Sequence, residues 1–261
     1  MTISAVIIDT FDEKKFPKYA IEMALKTKVV NEIITISDSC IYEGERFFKI
    51  PPIQSINDYN RLVFELIPKV VNSSHYLIIQ WDGFPINPHL WTSDFLGYDY
   101  IGAPWNNNDT VPVVGNGGFS LRSNILNKVI TNNINEFWDF SIPEDVYICR
   151  KNRKLLESLG VNFPDISIAN KFSIESGPFG NHFGFHGVFN LPIVIDENFL
   201  CENISEIFKR TSSEMIYVEL INSIVKNKKF ELLKLTIENL LKNQSKYPVV
   251  INYLQYINLI K

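Results

Sequence analysis

The stretch Tyr76-Leu-Ile-Ile-Gln-Trp-Asp-Gly83 decides the fold class. It reads as a buried strand, residues 76–79, that ends in a polar turn. Two earlier stretches have the same form, Ala5-Val-Ile-Ile-Asp-Thr10 and Ile33-Ile-Thr-Ile-Ser-Asp38. Apolar residues at helical spacing lie between these strands, over residues 17–28 and 56–71. Short buried strands that alternate with helices indicate βαβ units and an α/β sheet.

The bulk composition is that of an ordinary globular protein. Hydrophobic residues make up 46% of the 261 residues, so the chain can bury a sizeable core. The net charge of −4 gives no support to a sequence-independent nucleic-acid binder. Widely spaced Cys40, Cys149 and Cys201 predict reduced thiols rather than a disulfide framework or a zinc site. Because a signal peptide and an apolar run of about 20 residues are both missing from the pattern, we expect a cytoplasmic protein.

The remaining pattern predicts two parts. In the first, we predict a mobile loop at residues 106–110. We also predict helices at 123–132 and 144–159 and short strands at 113–122, 166–169 and 172–174. Beyond about residue 200 only helical patterns remain, and Thr211-Ser-Ser-Glu214 reads as a capping box. We therefore predict an α/β domain over residues 1–198 and a helical extension over residues 199–261.

Polar residues follow all three predicted strands at the end where parallel strands usually place ligands. They are candidates for binding a ligand, and they are Asp9, Thr10, Asp38, Gln80 and Asp82. Aspartate is also a favoured turn residue and helix N-cap, so Asp9 and Asp38 are equally compatible with a structural role.

Three further stretches contain residues suited to chemistry: Gly115-Asn-Gly-Gly-Phe-Ser120, Pro143-Glu-Asp-Val-Tyr147 and Phe183-Gly-Phe-His186. Each has a structural alternative. The glycines are compatible with a bulge or tight turn, and Pro-Glu-Asp is favoured at a helix N-terminus. Each histidine of this region is also compatible with a place in the core, and we favour that for His182. The two nearby arginines, Arg122 and Arg150, are compatible with phosphate binding, but we favour a surface ion pair for each.

The order of these motifs resembles that of inverting glycosyltransferases of the GT-A fold. Glu144-Asp-Val-Tyr147 looks like a motif of Golgi galactosyl- and N-acetylglucosaminyltransferases, and the whole order is similar to a bacterial glycosyltransferase-like family. The resemblance covers roughly residues 1–195. It implies a GT-A-like, Rossmann-like mixed sheet flanked by helices, and transfer of a sugar from a nucleotide-diphosphate donor, with a UDP-sugar favoured. A role in polysaccharide assembly is part of the same implication.

The resemblance also implies roles for individual residues. Asp145 takes the place of the general base, and Glu144 either orients the acceptor or supports Asp145. Asp82 corresponds to the last acid of the family's Asp-x-Asp motif, whose first acid is replaced here by Gln80. His186 matches the metal-ligating histidine. The implied cofactor is therefore Mn²⁺ or Mg²⁺ held by Asp82 and His186, although the loss of one acid weakens such a site.

Two glycines match part of the substrate site, and a tryptophan lies beside the predicted loop. Gly117 and Gly118 resemble backbone that passes close to the donor sugar, where a Cβ would collide. Trp105 would stack on the apolar face of an acceptor sugar, or it is simply buried.

Two other functions remain open on the sequence. The first is a non-catalytic sugar- or nucleotide-binding module on the same scaffold, which Gln80 favours. The second is a nucleotidyltransferase, which we rank last because the N-terminal loop has no triphosphate-binding pattern. The expected partners of the glycosyltransferase are a nucleotide-sugar donor and a glycan or lipid-linked glycan acceptor, without nucleic acid. The helical extension allows homo-oligomer formation, and its excess of Lys and Arg allows peripheral membrane contact.

Overall fold

A computed structural model describes residues 3–105, 113–133 and 140–260. The loop predicted at residues 106–110 lies outside this range. The chain folds into two compact units, residues 1–186 and residues 187–261. The domain boundary predicted after residue 198 stays a prediction. Within the described residues, we find no helix with the length and apolar character needed to cross a bilayer.

The first unit is built on a mixed six-stranded sheet with the strand order β3-β2-β1-β4-β9-β6. Strands β1 to β4 are parallel to one another, whereas β9 runs antiparallel to both of its neighbours. Two smaller sheets, β10-β11-β5 and β7-β8, lie in the same unit. The strand bounds are β1 Ile3–Asp9, β2 Val30–Ser37, β3 Arg46–Lys49, β4 His75–Ile79, β5 Gly83–Pro85, β6 Tyr100–Gly102, β7 Pro104–Trp105, β8 Val113–Val114, β9 Ser120–Ser123, β10 Ser173–Ile174 and β11 Gly184–His186.

Helices flank the sheet in the first unit and make up the second unit. The α-helices are α1 Lys15–Lys26, α2 Ile56–Arg61, α3 Ile67–Val70, α4 Asn124–Asn133, α5 Glu144–Val146, α6 Arg153–Ser158, α7 Ile166–Phe172, α8 Leu191–Val194, α9 Glu197–Glu202, α10 Ile204–Arg210, α11 Glu214–Lys226, α12 Phe230–Lys242 and α13 Pro248–Tyr256. Among residues 3–105, 113–133 and 140–260 there are also two π-helical segments, Leu62–Leu66 and Tyr147–Lys151, and four 3₁₀ turns, Pro88–Leu90, Ser93–Gly97, Val188–Asn190 and Gln244–Lys246. The predicted fold class, a mixed α/β sheet flanked by helices with a helical extension, is confirmed.

Alternate side chains of each strand point to opposite faces of the large sheet, and helices cover both faces. On one face, Val6 and Ile8 of β1 join a core with α4 and with the helical segments between residues 56 and 71 and between 147 and 156. On the other face lies α1, which contacts β1 and β2 and buries Phe16, Ala20 and Ala24. This spacing of four residues places the three side chains on one side of the helix.

Two strand predictions in the first unit need correction. The strand predicted at residues 113–122 is divided by residues 115–119 into β8 and β9, and the strand predicted at residues 166–169 is wrong. Residues 166–169 form the start of helix α7 and not a strand. Asp165 is the N-cap of α7, and its side chain accepts a hydrogen bond from the Ile168 N–H at 2.9 Å. This local bond satisfies a backbone donor at the helix start, so it favours the helix over the strand that the short apolar run suggests.

The second unit packs α11 against α12 and α13. The buried side chains of α11 include Tyr217, Leu220 and Ile224, which recur at helical spacing. The helix begins at Glu214, two residues later than a capping box with Thr211 as N-cap implies. The predicted capping box is therefore wrong, since Ser213 is the N-cap and its side chain makes no capping hydrogen bond. The carboxylate of Glu214 instead accepts hydrogen bonds from the first turn of α13, from the Val249 N–H at 2.7 Å and the Val250 N–H at 3.1 Å.

Asn60 connects the helix over residues 56–70 to the segment that leads into α5. Its side chain is fully buried. The Nδ2 group donates to the carbonyl oxygens of Phe140 and Ile142, at 2.7 and 2.8 Å. Because these two carbonyls lie just before Pro143, Asn60 fixes the path by which the chain enters α5.

Removal of this side chain should therefore destabilise the first unit. We expect Asn60→Ala to lower the free energy of unfolding by about 1–3 kcal/mol, because two carbonyls lose a buried donor. Urea denaturation followed by circular dichroism measures the change. Asn132→Ala, at an exposed position of α4, serves as the control and should leave stability within about 0.5 kcal/mol of the unsubstituted protein. Equal stability of the two variants would contradict the role of Asn60.

Candidate functional site

The carboxyl ends of β1, β2 and β4 meet at one edge of the large sheet. Asp9 closes β1 and pairs in register with Ser37 of β2, next to Asp38. The ammonium of Lys14 lies 3.3 Å from Oδ1 of Asp9 and 3.0 Å from Oδ1 of Asp38. Burial works against the ionised Asp38, but Lys14 lowers the pKa of that carboxyl below its usual value. The two aspartates are therefore brought together around one lysine, and neighbouring Thr10 accepts a hydrogen bond from the Ile53 N–H at 3.0 Å.

Strand β4 leaves the sheet through a tight turn over residues 80–83. The backbones of Gln80 and Gly83 bond to each other in both directions, at 2.8 and 3.1 Å. Two residues, Trp81 and Asp82, form the tip between them. Trp81 packs edge-on against Phe16 of α1, with the ring centroids 5.7 Å apart. The turn therefore holds Gln80 and buried Asp82 at the same edge as the carboxyl ends of β1 and β2.

A glycine loop, which we define as Gly115–Gly118, leads into β9 at this edge. Asn116 has φ of 56°, a left-handed conformation that asparagine tolerates better than most residues. A Cβ at Gly117 would collide with the carboxylate of Glu144, and one at Gly118 would collide with the imidazole of His186. The glycines are therefore required here by neighbouring side chains of the protein itself.

Asp145 lies at the start of α5, directly against the glycine loop. Its Oδ2 accepts a hydrogen bond from the Gly117 N–H at 2.8 Å, and its Oδ1 accepts from the Val146 N–H at 2.7 Å. The side chain is partly exposed, whereas that of adjacent Glu144 is buried. Neighbouring residues of a helix point about 100° apart, so the two carboxylates face different surroundings.

Glu144 forms a buried ion pair with Arg122 of β9. Their closest atoms, Oε1 and Nη2, are 2.7 Å apart, and both residues are at most 3% exposed. Arg122 also donates from Nε to Oγ of Ser120 at 3.0 Å and lies over the ring of Tyr100. Burial raises the pKa of Glu144, and Arg122 opposes this rise. The surface ion pair expected for Arg122 is therefore wrong, because the guanidinium lies in the interior and joins β9 to α5.

His186 is the last residue of β11 and faces four polar side chains. Its Nδ1 lies 3.1 Å from Oε1 of Glu175 and 2.9 Å from Nδ2 of Asn116. Its Nε2 lies 3.3 Å from Oε1 of Gln80 and 3.7 Å from Oδ1 of Asp82. Burial disfavours the charged ring, but the negative charges of Asp82, Glu175 and Asp145 outweigh it and raise the pKa of His186 to about 9. At neutral pH the ring is therefore a cation.

The chain thus gathers most of the predicted site residues around the glycine loop: Gln80, Asp82, Gly117, Gly118, Glu144, Asp145 and His186. Of the other predicted site residues, Asp9, Thr10 and Asp38 lie at the carboxyl ends of β1 and β2, and Trp105 has different surroundings. The ring of Trp105 packs against the backbone of Gly115. The guanidinium carbon of Arg150 lies over this ring, 4.8 Å from the ring centroid. The ring of His182 instead bonds through Nδ1 to the carbonyl oxygen of Asn170.

Two residues of this network were missed by the sequence argument. Asn116 binds both Glu175, at 2.8 Å, and His186. Its signal was the asparagine within a glycine-rich loop, which indicates a left-handed backbone but not a partner. Glu175 directly follows the short strand β10, and an acidic residue at a strand end was the signal that could have identified it.

Three atoms of types that can bind metals lie together at Nε2 of His186, but they are too few to hold a divalent cation by themselves. Within residues 3–105, 113–133 and 140–260, no three His, Cys, Asp or Glu side chains are grouped so that they could hold a metal ion. Asp82, His186 and the amide oxygen of Gln80 would supply two or three ligands, of types that Mn²⁺ accepts. A ligand histidine usually bonds through its other ring nitrogen to a carboxylate, as Nδ1 does here to Glu175. Such a metal would need oxygens of a bound molecule to complete its shell.

Comparison with solved structures finds similar folds at low sequence identity. A glycosyltransferase involved in the glycosylation of the major capsid of PBCV-1 is 10% identical, with a TM-score of 0.44, over 71% of this chain and 92% of that one. Glucosyl-3-phosphoglycerate synthase from Mycobacterium tuberculosis, in complex with Mn²⁺, UDP and phosphoglyceric acid, is 13% identical with a TM-score of 0.34, over 48% and 56%. The 4-diphosphocytidyl-2C-methyl-D-erythritol synthase of Anaerococcus prevotii is 14% identical with a TM-score of 0.37, over 62% and 86%.

No curated protein matches the sequence. A family described as "Protein of unknown function (DUF5672)" matches residues 44–186. The matched span begins just before β3, ends at His186 and contains the turn at residues 80–83, the glycine loop and α5. Since it covers more than half of the chain, the protein belongs to the DUF5672 family.

Proposed function

We propose that the first unit is an inverting glycosyltransferase that moves a sugar from a nucleotide-diphosphate donor, a UDP-sugar, to a hydroxyl of a glycan acceptor. The observation that carries this proposal is the convergence at the glycine loop. Asp145 bonds to Gly117, and the ring of His186 packs against Gly118. A carboxylate suited to base chemistry and a cationic imidazole thus contact adjacent residues, as a site that activates a hydroxyl and stabilises a leaving phosphate requires.

Asp145 is the general base in this proposal. Its carboxylate removes the proton of the acceptor hydroxyl, whose oxygen attacks the anomeric carbon of the donor. The bond from that carbon to the diphosphate breaks, and the diphosphate leaves with the electron pair. Two backbone N–H groups orient the carboxylate, those of Gly117 and Val146. Such a fixed orientation lowers the barrier because the base needs no rearrangement when the acceptor arrives.

Glu144 supports Asp145 and does not bind the acceptor in this assignment. Its carboxylate is buried against Arg122, so it is not positioned for proton exchange with a bound hydroxyl. The ion pair instead anchors the first turn of α5 to β9. Asp145 is the next residue, so its position depends on that anchor.

The donor diphosphate would lie beside Asp82 and His186. These two residues, with Gln80, would hold Mn²⁺ or Mg²⁺. When bound, the metal would act as a Lewis acid on the diphosphate oxygens. Asp9, Thr10 and Asp38 are assigned to the nucleotide, and Trp105 to the acceptor sugar.

The proposal also covers the acceptor, the pathway and the role of the helical extension. The acceptor is a glycan or a lipid-linked glycan, in cytoplasmic polysaccharide biosynthesis. The helical extension is assigned to self-association or to peripheral membrane contact.

One observation favours a second function, a non-catalytic nucleotide- or sugar-binding module. Gln80 stands where the family resemblance implies an acid, and it is tied into the site by hydrogen bonds. Its Nε2 donates to the hydroxyl of Tyr59 at 3.1 Å, and its Oε1 faces His186. A neutral residue so well held suits a site that binds a nucleotide without metal-assisted chemistry. Binding of UDP without donor turnover would favour this module.

The base assignment predicts a selective loss of turnover. We expect Asp145→Asn to lower kcat by about 10²–10⁴-fold with little change in UDP affinity, because the amide cannot accept the proton. Release of UDP from UDP-sugars gives the rate, and calorimetry gives the affinity. Asp94→Asn, an exposed carboxylate of the same unit, is the control and should retain full activity. Normal turnover by Asp145→Asn would remove Asp145 as the base.

The metal assignment predicts a pH dependence of metal binding. Below its pKa of about 9, His186 carries a proton on Nε2 that must leave before this nitrogen binds Mn²⁺. We therefore expect Mn²⁺ affinity in the presence of UDP to rise by about tenfold per pH unit from pH 7 and to level off near pH 9. Anaerobic calorimetry measures it. His186→Gln should abolish the dependence, whereas His89→Gln, at an exposed position, should preserve it. Affinity independent of pH would show that the metal does not bind His186.

A further inference from the structure

A pocket of about 540 Å³ opens beside the helical segments that follow Asp145. One wall consists of residues from the π-helical segment Tyr147–Lys151 and from α6, and the other consists of β8 and the start of α7. The second wall includes the apolar side chains of Val114, Pro164 and Ile166. These residues have no role in the reaction proposed above, so the pocket is a separate feature of the first unit.

Three cations line the first wall, those of Arg150, Arg153 and Lys154, and we therefore refer to the cavity as the basic pocket. Two carboxylates also line it, but each has a partner. Oε1 of Glu157 accepts a hydrogen bond from Nε of Arg153 at 2.9 Å, and Oδ1 of Asp165 accepts the N-cap bond of α7. Three positive and two negative charges leave a net charge of +1, so the basic pocket favours an anionic ligand.

Asn152 joins the two helical segments that supply these cations. Arg150 belongs to the π-helical segment, whereas Arg153 and Lys154 begin α6. The backbone N–H and the Nδ2 group of Asn152 both donate to the carbonyl oxygen of Tyr147, at 3.0 and 3.1 Å. These two bonds close the junction, so the last turn of one segment adjoins the first turn of the other.

Aromatic rings hold the two arginine side chains in place. The guanidinium carbon of Arg150 lies 4.8 Å from the ring centroid of Trp105, and that of Arg153 lies 4.3 Å from the ring centroid of Phe163. A guanidinium held over a ring has less freedom to lose when it binds a ligand. Guanidinium groups match pairs of phosphate oxygens, and the exposed ammonium of Lys154 adds a point charge. The combination therefore suits a phosphate group.

The basic pocket adjoins the proposed base on two sides. Strand β8 directly precedes the glycine loop, whose Gly117 N–H bonds to Asp145. Cys149, four residues after Asp145, lines the pocket from the helical side. Within the described part of the chain, Asp82 and His186, which are assigned to the donor, do not line it. This placement favours the acceptor over the donor as the ligand.

We propose that the basic pocket binds a phosphate group of the acceptor, so that the acceptor is a phosphorylated glycan. Arg150, Arg153 and Lys154 bind the phosphate oxygens, and the apolar wall contacts the carbon atoms next to the phosphate. The inference rests on the proposed function for the identity of the ligand as the acceptor. Phosphate binding itself is a property of the pocket and needs no turnover.

The test uses three sugars as probes: glucose 6-phosphate, glucuronate and glucose. We expect calorimetry to show that glucose 6-phosphate binds about tenfold more tightly than glucuronate and that glucose binds most weakly, because a phosphate ester carries nearly two charges at neutral pH. In Arg153→Gln/Lys154→Gln we expect the affinity for glucose 6-phosphate to fall by roughly 10–100-fold, since two charged donors are lost.

Two further variants control for charge and for folding. Arg61→Gln/Lys26→Gln removes the same two charges from exposed positions outside the pocket and should bind glucose 6-phosphate like the unsubstituted protein. Lys154→Gln alone changes one exposed side chain and should weaken binding by about two- to fivefold. Unchanged circular dichroism and thermal unfolding show that each variant is folded.

The outcomes separate this inference from the proposed function. Equal affinity for glucose 6-phosphate and glucuronate, or unchanged affinity in folded Arg153→Gln/Lys154→Gln, would overturn the phosphate assignment even for an active transferase. Displacement of glucose 6-phosphate by UDP would place the phosphate in the donor site and overturn the acceptor assignment. If glucose 6-phosphate binds as expected but no UDP-sugar is turned over, the phosphate site stands and the glycosyltransferase proposal fails alone.

Discussion

The site depends on two consecutive residues that have no side chain. Gly117 lies against the carboxylate of Glu144, and Gly118 lies against the ring of His186. Elements distant in the sequence, α5 and β11, can approach each other only as closely as this loop allows. A methyl group at Gly117 would displace the carboxylate of Glu144, and one at Gly118 would displace the ring of His186. The loop therefore sets the distance between the proposed base and the imidazole.

Below the loop, the Arg122–Glu144 ion pair keeps α5 in place. Two charges buried this deeply are costly to desolvate, and removal of one partner from such pairs typically costs about 3–5 kcal/mol. The attraction between the two charges offsets their desolvation only while both residues are present, so the pair is a rigid connection between β9 and α5. Among the described residues, Oε2 of Glu144 has no hydrogen-bond partner. A pair that is not fully satisfied is a poor choice for stability alone and suits an anchor for Asp145 better.

The sequence revealed the parts of the fold that depend on local patterns. Apolar runs identified the strands at residues 5–8, 33–36 and 76–79, and the polar residues after them lie at one edge because parallel strands share a direction. Local patterns failed where a side chain decided between two structures, as Asp165 did for α7. They also failed for Glu175, since its approach to His186 arises from the parallel pairing of β10 with β11. Such pairing of strands of two and three residues has no signature in composition or spacing.

The surroundings of His186 select for positive charge and not for one particular cation. Asp82 and Glu175 lie on opposite nitrogens of the ring, and their charges favour either a second proton or a metal at Nε2. Because Gln80 is neutral, the negative charge here is lower than in a site with a second acid. This loss weakens the binding of a divalent metal more than the binding of a proton. In both states one positive centre lies at the turn after β4. A departing diphosphate would therefore meet a cation there whichever of the two is bound, and the metal would supply Lewis acidity in place of the charge of the protonated ring.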